Sequence, residues 1–334
     1  MPVDWSPFVA WVERHHRFLL TAHVRPDGDA LGSMLGLADL LMQRGKEVHL
    51  AVASLIPPRY DFLHPHGEVK QFDPTSKEFQ APDAVIVLDT GTWTQLGEMG
   101  AWLRTSRTET VVIDHHLTQD SDLPALRFVD TTAEATGRLV YELSQALGTP
   151  LRPHAAQAVF VALAMDTGWF RHRNTSAATY QLAARLVELG AQPTLAYDCL
   201  FEQNSLGRIL LWARVLSRME VTLAGQVCHT SLLASDYPAT GATPQDSEDL
   251  VNYTRSIKGV QIGLFFAEQP GGGVKVSFRS RETVDVAQIA EQFGGGGHRL
   301  AAGAILPTSL DEARRRVLAA VASALCRPAG VSLP

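Results

Sequence analysis

The chain has 334 residues, of which 46% are hydrophobic and 19% are charged, and this composition excludes a disordered or low-complexity polypeptide. A formal net charge of −6 argues against a protein that wraps long nucleic acid without regard to its sequence. Residues 251–334 nevertheless contain ten Lys or Arg against six Asp or Glu. An acidic first part and a basic last part suit a metal-collecting domain beside a domain that holds an anionic substrate.

Up to about Gly190, short β-rich runs alternate with helical stretches, which predicts a doubly wound α/β domain with a mostly parallel sheet. Its strands are predicted at residues 18–22, 48–53, 84–88, 110–113 and 127–129, most of them nearly continuously apolar, as buried parallel strands are. Its helices are predicted at residues 30–44, 134–147, 153–165 and 176–188. We assign residues 1–190 to this first domain.

The mostly helical segment 191–218 is predicted to link this domain to a second, smaller mixed α/β domain over residues 219–334. Strands of the second domain are predicted at residues 221–230, 261–267, 274–279 and 304–306, and the loop 269–273 joins the second and third as a hairpin. Helices are predicted at residues 284–293 and 310–325, with a further short helix after the glycines 294–297.

Three of the predicted strands run directly into acidic or histidine residues. Segment 23–29 reads His-Val-Arg-Pro-Asp-Gly-Asp, segment 89–91 reads Asp-Thr-Gly and segment 114–116 reads Asp-His-His. The carboxyl ends of parallel strands meet at one edge of an open α/β sheet, where ligands bind. A fourth acidic residue, Asp166, ends the apolar helix at 153–165. The sequence therefore predicts that these side chains converge.

Grouping Asp27, Asp29, Asp89 and Asp166 in one crevice would raise their pKa values or drive them apart unless cations are present. Two divalent ions would balance the four charges. Oxygen and imidazole ligands without thiolate favour manganese or magnesium over structural zinc, and imidazole favours manganese of the two. Because two neighbouring metal ions activate water and stabilise an in-line displacement at phosphorus, the constellation indicates phosphoester hydrolysis.

Taken singly, each motif also has an ordinary structural explanation. An Asp at a strand end is commonly a turn or cap residue, and Asp29 could simply cap the helix that begins at Ala30. The joint occurrence of acidic and histidine residues at three strand ends and one helix end favours the metal site.

The motifs in segments 23–29, 87–89, 113–116 and 166–168 resemble, in this order, the four motifs of the DHH phosphoesterases. Segment 293–303, which reads Phe-Gly-Gly-Gly-Gly-His-Arg-Leu-Ala-Ala-Gly, resembles the signature of the DHH-associated C-terminal domain. The resemblance implies a DHH metal-binding catalytic domain over residues 1–190, a helical linker over 191–218 and a substrate-binding domain over 219–334.

The same resemblance implies two divalent ions, with Mn²⁺ preferred and Mg²⁺ as the alternative. One ion would be held by His23, Asp27 and Asp89, and the other by Asp29, Asp89, His115 and Asp166, so that Asp89 bridges the two. The catalytic residues implied are Asp114, which would orient a histidine ring by a hydrogen bond, and His116, which would contact the scissile phosphate and help the leaving oxygen depart.

Substrate contacts are expected mainly in the second domain. Arg279 and Arg281 alternate with Ser280, so both would face one side of a strand and form a phosphate-binding fork, although two solvated strand residues would look the same. Gly295, Gly296 and Gly297 would let backbone N–H groups approach an anion, and His298 adds a donor; a plain flexible turn is the alternative. No Gly-Lys-Ser/Thr follows, so the segment is not a Walker motif.

Segment 170–175 resembles the same stretch in the oligoribonuclease branch of the family, which implies a substrate contact for Asn174. The cysteines Cys199, Cys228 and Cys326 are widely spaced, which argues against a disulfide framework and a thiolate zinc site. The first ten residues do not have the pattern of a secretory signal, and no apolar run is long enough to cross a bilayer. We therefore expect a cytoplasmic protein that does not associate with membranes.

The length leaves no room for the extra domains, including an OB-fold, of a RecJ-like exonuclease, and the glycine-rich signature differs from the C-terminal domain of a family II pyrophosphatase. The resemblance therefore implies an exonuclease that degrades RNA fragments of about two to five nucleotides to mononucleotides and dephosphorylates 3′-phosphoadenosine 5′-phosphate (pAp) to AMP. The alternatives are a phosphodiesterase for cyclic di-nucleotides or linear pApA, and a nucleotide-binding regulator without turnover, against which the intact ligand set argues. The direction of attack and a homodimeric state stay open.

Overall fold

The computed structural model describes residues 3–79, 81–123, 125–281 and 284–325, and Cys326 lies outside these ranges. The chain divides into two compact units, Met1–Gln203 and Asn204–Pro334. This division falls inside the predicted linker 191–218. In the ranges that the structure describes, no helix combines the length and the apolar character needed to cross a membrane.

The N-terminal unit is built on a parallel sheet of six strands among the described residues. These strands are β1 (Arg17–Thr21), β2 (Glu47–Val52), β3 (Val69–Gln71), β4 (Ala84–Leu88), β5 (Glu109–Asp114) and β6 (Leu126–Val129). Their spatial order is β3-β2-β1-β4-β5-β6, and every neighbouring pair is parallel. This order is that of a doubly wound sheet with a switch point between β1 and β4, so the predicted fold class is confirmed.

The helices that cover this sheet are α1 (Ser6–Arg14), α2 (Gly28–Gln43), α3 (Trp93–Thr105), α4 (Thr136–Ala146), α5 (Pro153–Asp166), α6 (Ala177–Glu188) and α7 (Pro193–Phe201). Four of them, α2, α4, α5 and α6, were predicted within two residues at each end. The sequence pattern did not indicate α1, α3 or β3. In α3 the periodicity is interrupted at Gly97, whose φ of 55° kinks the helix, and β3 is too short to show an alternating pattern.

Two helices, α2 and α5, pack so closely that glycine is needed between them. A Cβ atom at Gly32 would lie 2.2 Å from the carbonyl oxygen of Ala158, and one at Gly28 would lie 2.5 Å from Cγ of Met165. These contacts pair the start of α2 with the end of α5, so the two helices run antiparallel. The N-terminus of α2 therefore lies beside the C-terminus of α5, at the sheet edge where β1, β4 and β5 end.

The C-terminal unit contains a mixed sheet in the order β11-β12-β10-β9-β8-β7, in which only the β8–β9 pair is parallel among the described strands. Its elements are α8 (Leu206–Ser217), β7 (Glu220–Thr222), β8 (Val227–Leu232), α9 (Asp236–Thr240), α10 (Leu250–Ser256), β9 (Ile262–Glu268), β10 (Val274–Ser280), α11 (Val286–Glu291), β11 (Gly296–His298), β12 (Ala301–Leu306) and α12 (Leu310–Leu325). Phe266, Phe278 and Val317 lie in its buried core.

Two predicted elements of this unit were wrong. The run at 221–230 is not one strand but the hairpin β7–β8, because Leu223 and Ala224 adopt φ values of 50° and 55° that an apolar pattern does not indicate. The glycines are followed by the hairpin β11–β12 and not by a short helix. The helix predicted at 284–293 is present as Val286–Glu291, two residues shorter at each end.

The α2–α5 contact yields a stability prediction. Gly32→Ala should lower the free energy of unfolding by about 2 kcal/mol, because the new methyl group overlaps a backbone oxygen that cannot move without separating the helices. The matched control is Gly271→Ala, since no described atom lies within 4 Å of its Cβ position, and it should change the stability by no more than about 0.5 kcal/mol. Urea denaturation followed by circular dichroism measures both. Equal stabilities of the two variants would contradict the close approach.

Candidate metal centre

Six predicted ligand residues meet at the C-terminal edge of the parallel sheet. They are His23, Asp27, Asp29, Asp89, His115 and Asp166, and they come from the ends of β1, β4, β5 and α5 and from the start of α2. Donor atoms within 4.8 Å of one another form three groups, which are His23 with Asp27 and Asp89, Asp29 with His115 and Asp166, and Asp89 with His115 and His116. Asp89 and His115 each belong to two groups, so the three groups form one connected centre.

Asp89 lies at the middle of this centre because of an unusual backbone conformation. Its φ is 63°, in the left-handed region, while its N–H still donates to the carbonyl of Ile113 at 3.0 Å. Such a conformation costs about 1 kcal/mol or more for a residue with a Cβ atom. Its carboxylate lies 3.5 Å from Nε2 of His23 through one oxygen and 3.5 Å from Nε2 of His115 through the other. One side chain therefore faces both histidines.

The start of α2 supplies two carboxylates with different surroundings. Asp27 is the N-cap of the helix, and its Oδ1 accepts from the N–H groups of Asp29 and Ala30 at 3.0 and 3.2 Å. The helix therefore begins at Gly28, and the alternative in which Asp29 caps it is wrong. Asp29 instead lies in the first turn, fully buried, 3.6 Å from Nε2 of His115.

Asp29 caps a different helix, α4, and sequence reasoning missed this connection. Its two carboxylate oxygens accept from the backbone N–H groups of Thr136 and Gly137 at 2.7 and 2.9 Å and from the hydroxyl of Ser33 at 3.0 Å. The Thr136 hydroxyl donates to Asp89 at 2.9 Å. The start of α4 thus holds two candidate ligands at once. A threonine inside a predicted helix start was the available signal, but nothing in its spacing pointed to Asp29.

The electrostatics of the centre follow from burial and crowding. Burial raises the pKa of Asp29 well above its usual range, and repulsion from Asp89 and Asp166 adds to it. Burial also raises the pKa of Asp89, against the hydrogen bond from His23. Burial alone would lower the pKa of both histidines, but the surrounding carboxylates outweigh it and raise the pKa of His23 to about 11 and that of His115 to about 9.

The two histidine rings are oriented as metal ligands would be. Nδ1 of His23 lies 3.0 Å from the carbonyl of Val24, and Nδ1 of His115 lies 3.2 Å from the carbonyl of Ala133. Nε2 of His115 is buried, and no described group hydrogen-bonds to it, although the nearest oxygen of Asp166 is 3.1 Å away. A carbonyl on one ring nitrogen leaves the other free to bind a cation. Four carboxylates and two such rings fit two divalent cations.

The two predicted catalytic residues lie beside this centre. Asp114 is fully buried, and its Oδ1 accepts from the backbone N–H groups of His115 and His116 at 2.8 and 3.1 Å and lies 2.8 Å from Nδ1 of His116. Burial would raise the pKa of Asp114, but these hydrogen bonds lower it. The His116 ring is half exposed and its Nδ1 is 3.7 Å from Asp89. Asp114 therefore orients the ring of His116.

Asn174, predicted as a substrate contact, lies next to the centre. Its amide nitrogen donates to the carbonyls of Glu134 and Asp166 at 3.3 and 3.2 Å. These bonds tie the segment after α5 to the start of α4. A contact between Asn174 and substrate stays a prediction.

The other predicted substrate contacts belong to the C-terminal unit. Arg279 is half-buried and donates to the carbonyl of Phe278 at 3.0 Å, whereas Arg281 donates to the carbonyls of Val260 and Arg255 at 3.0 and 3.1 Å. The guanidinium of Arg281 therefore orders the backbone around it. The phosphate-binding fork stays a prediction for both arginines.

The glycines at 295–297 differ in their structural roles, and the sequence pattern did not distinguish them. A Cβ atom would lie 2.1 Å from the carbonyl oxygen of Gly303 at Gly295 and 2.6 Å from that of Ala301 at Gly297. Both glycines allow β11 to approach β12. At Gly296, in contrast, no described atom lies within 4 Å of the Cβ position, and the neighbouring His298 is exposed.

A doubly wound sheet whose strand ends carry clustered carboxylates and imidazoles is typical of α/β enzymes that bind metal ions. Residues 17–164 match the DHH family N-terminal domain, and residues 225–325 match the DHHA1 domain. The chain is 34% identical, over 92% of its length and 90% of the relative's, to the bifunctional oligoribonuclease and PAP phosphatase NrnA of Thermus thermophilus. The chain belongs to the DHH family and is a phosphoric ester hydrolase.

Solved structures show the same fold. An exopolyphosphatase-related protein from Bacteroides fragilis is 26% identical and superimposes with a TM-score of 0.88 over 95% of each chain. RecJ from Thermus thermophilus, solved with Mn²⁺, is 17% identical and has a TM-score of 0.57, with 99% of this chain matched to 56% of RecJ.

The contact between Thr136 and Asp89 yields a prediction about metal binding. Thr136→Val keeps the shape of the side chain but removes the hydroxyl, so Asp89 loses a donor that holds it in place. We expect the affinity for Mn²⁺, measured by titration calorimetry, to fall about ten-fold. Thr136→Ser keeps the hydroxyl and is the matched control. An unchanged affinity in the valine variant would rule out this role.

The raised pKa values of the histidines yield a prediction about pH. At pH 7, pKa values of about 11 for His23 and about 9 for His115 mean that both rings carry a proton in the absence of metal. A metal ion needs the neutral ring, so the two histidines should release about two protons on binding. Any proton on Asp29, whose pKa is also raised, adds to this release, and the affinity should rise as the pH increases from 6 toward 9. Binding heats in buffers of different ionisation enthalpy count the protons. His23→Gln should release about one proton fewer, and an equal release would contradict the assignment.

Proposed function

We propose that the protein is a manganese-dependent phosphoesterase that degrades oligoribonucleotides of about two to five nucleotides to mononucleotides and dephosphorylates pAp to AMP. The observation that carries the proposal is the connected centre in which Asp89 and His115 each belong to two groups of donors. Similarity over about nine-tenths of the chain to a relative named as an oligoribonuclease and PAP phosphatase supports the substrate class.

Two divalent ions held by His23, Asp27, Asp89 and by Asp29, Asp89, His115, Asp166 would supply positive charge against the phosphate and lower the pKa of a water molecule. Mn²⁺ is proposed because imidazole contributes to both ligand sets. Mg²⁺ is the alternative. Asp89 would belong to both sets, as its position between the two histidines suggests.

The proposed reaction is an in-line displacement at phosphorus in which His116 is the proton donor. Water adds to phosphorus on the side opposite the leaving oxygen, and the P–O bond breaks with its electron pair on that oxygen. The hydrogen bond with Asp114 raises the pKa of His116 and orients its ring, so that Nε2 donates a proton to the leaving oxygen. The attacking water gives its proton to solvent, and solvent restores the proton of His116.

We propose that Arg279, Arg281, His298 and the backbone of Gly295, Gly296 and Gly297 bind the substrate through a few directed contacts, and that Asn174 adds one from the catalytic unit. A few such contacts suffice for a short fragment, which needs no long basic track.

A nucleotide-binding regulator is the non-enzyme alternative, and the complete set of six ligands argues against it. The cytoplasm stays the proposed compartment, and a homodimer stays open.

A panel of substrates tests the proposal. The Mn²⁺-loaded protein should release mononucleotides from a di- or triribonucleotide and phosphate from pAp, and it should act at least about ten-fold more slowly on a 20-mer DNA. Asp89→Asn should lower both activities by a factor of about 10³ or more, because it removes charge from both ligand sets. Asp73→Asn, which changes an exposed carboxylate that accepts from Thr75, is the matched control. Chromatographic product analysis measures all rates.

Three outcomes would change the assignment. Faster cleavage of the 20-mer would contradict the short-substrate proposal. Preference for a cyclic di-nucleotide or pApA over short RNA would favour the alternative phosphodiesterase. Tight nucleotide binding without turnover would favour a regulator.

A further inference from the structure

The loop that follows β5 is fastened to the loop that follows β4. The N–H of Asp120 donates to the carbonyl of Gly91 at 2.9 Å, and the carboxylate of Asp120 accepts from the N–H of Trp93 at 2.8 Å. Gly91 and Gln119 also form an isolated parallel bridge. These contacts extend the β4–β5 pairing past the strand ends and place Gln119 beside the metal centre.

The side chain of Gln119 joins Asp114 to Arg127. Its amide nitrogen donates to Oδ2 of Asp114 at 2.5 Å, and its amide oxygen accepts from Nη1 of Arg127 at 2.9 Å. Arg127 lies on β6 and also donates to the carbonyls of Asp120 and Leu123. Gln119 is therefore held from a neighbouring strand, and its amide group can point in one direction only.

The two oxygens of Asp114 have different partners. Oδ1 accepts from the backbone N–H groups of His115 and His116 and faces Nδ1 of His116, whereas Oδ2 accepts from Gln119. Rotation about the χ2 torsion moves both oxygens of a carboxylate, so a bond on Oδ2 adds to the restraint that the bonds on Oδ1 exert. Gln119 therefore binds Oδ2, and this bond helps to keep Oδ1 directed at His116.

Gly91 is needed for this arrangement. A Cβ atom at this position would lie 1.7 Å from the amide oxygen of Gln119, and the three nearest atoms all belong to the Gln119 side chain. Gly91 has no positive φ, so the backbone itself does not require glycine. The space that it leaves is filled by the Gln119 amide group.

We propose that Gln119 is a positioning residue for the reaction, held by Arg127 and given room by Gly91, that fixes Asp114 and through it the ring of His116. The proposal rests on the proposed function, in which His116 donates a proton to the leaving oxygen. Loss of Gln119 leaves His116 in place but widens the range of ring orientations, so the fraction of bound substrate that has a donor in line with the leaving oxygen falls.

Gln119→Leu removes the hydrogen bonds and keeps a similar volume. We expect kcat on a triribonucleotide to fall about ten-fold and KM to change by less than about two-fold, because binding does not depend on the ring orientation. The matched control is Gln43→Leu. Gln43 is also a half-buried glutamine whose amide donates to a buried carboxylate, that of Asp39, at 2.8 Å, but it lies at the far end of α2, about 20 Å from Gly28. This control should keep wild-type kcat.

Gly91→Ala provides a second route to the same defect, because its methyl group displaces the Gln119 side chain without changing its chemistry. In the wild-type background it should lower kcat about as much as Gln119→Leu does. In the Gln119→Ala background the overlapping atoms are absent, so adding Gly91→Ala should lower kcat by less than about two-fold. Additive losses would overturn the proposal, because they would show that Gly91 acts independently of Gln119.

A measurement without turnover separates this proposal from the proposed function. The hydrogen bond between Nδ1 of His116 and Asp114 should give a downfield proton resonance in the Mg²⁺-loaded full chain, assigned by its absence in His116→Ala. We expect this signal to broaden or shift in Gln119→Leu and Gly91→Ala and to persist in Gln43→Leu. An unchanged signal in both site variants would overturn the inference. Altered signals in a wild-type background that hydrolyses no phosphoester would support the positioning role and overturn the proposed function alone.

Discussion

Crowding of negative charge at one sheet edge is the constraint on which the N-terminal unit depends. Asp29 and Asp89 are buried beside each other, and burial raises the pKa of both. Each carboxylate receives fixed donors that lower the cost, such as the start of α4 for Asp29 and the Thr136 hydroxyl for Asp89. These donors offset only part of the negative charge, because the carboxylates still raise the pKa of His23 and His115. Divalent cations would supply the remainder.

Close packing of helices brings these charges together. Gly32 lets α2 lie against the backbone of α5, and this contact places the start of one helix beside the end of the other. Asp27 and Asp166 are therefore brought to the same edge by the apolar packing of the two helices. Most of α2 is buried, and its two candidate ligands, Asp27 and Asp29, lie at its N-terminal end.

The residues of the C-terminal unit that were predicted to bind substrate differ in their structural roles. Gly295 and Gly297 are required where β11 approaches β12, and Arg281 donates to backbone carbonyls. Gly296 and His298 also pair with β12, but no described atom lies within 4 Å of the Cβ position of Gly296, and His298 is exposed. A motif read as one substrate-binding signature thus contains residues that shape the hairpin and residues that are accessible to a ligand.

The sequence by itself determined the doubly wound class and the identity of the clustered residues, because acidic and histidine residues directly after buried strands must meet where parallel strands end. Only the tertiary structure decided how they are held. Asp89 adopts a left-handed backbone conformation that its neighbours in the sequence do not indicate. Asp29 caps α4 and Gln119 contacts Asp114, and neither pair of residues is related by a periodicity. Local patterns report which face of an element is apolar, whereas hydrogen bonds between loops depend on distances that exist only after the helices and strands have packed.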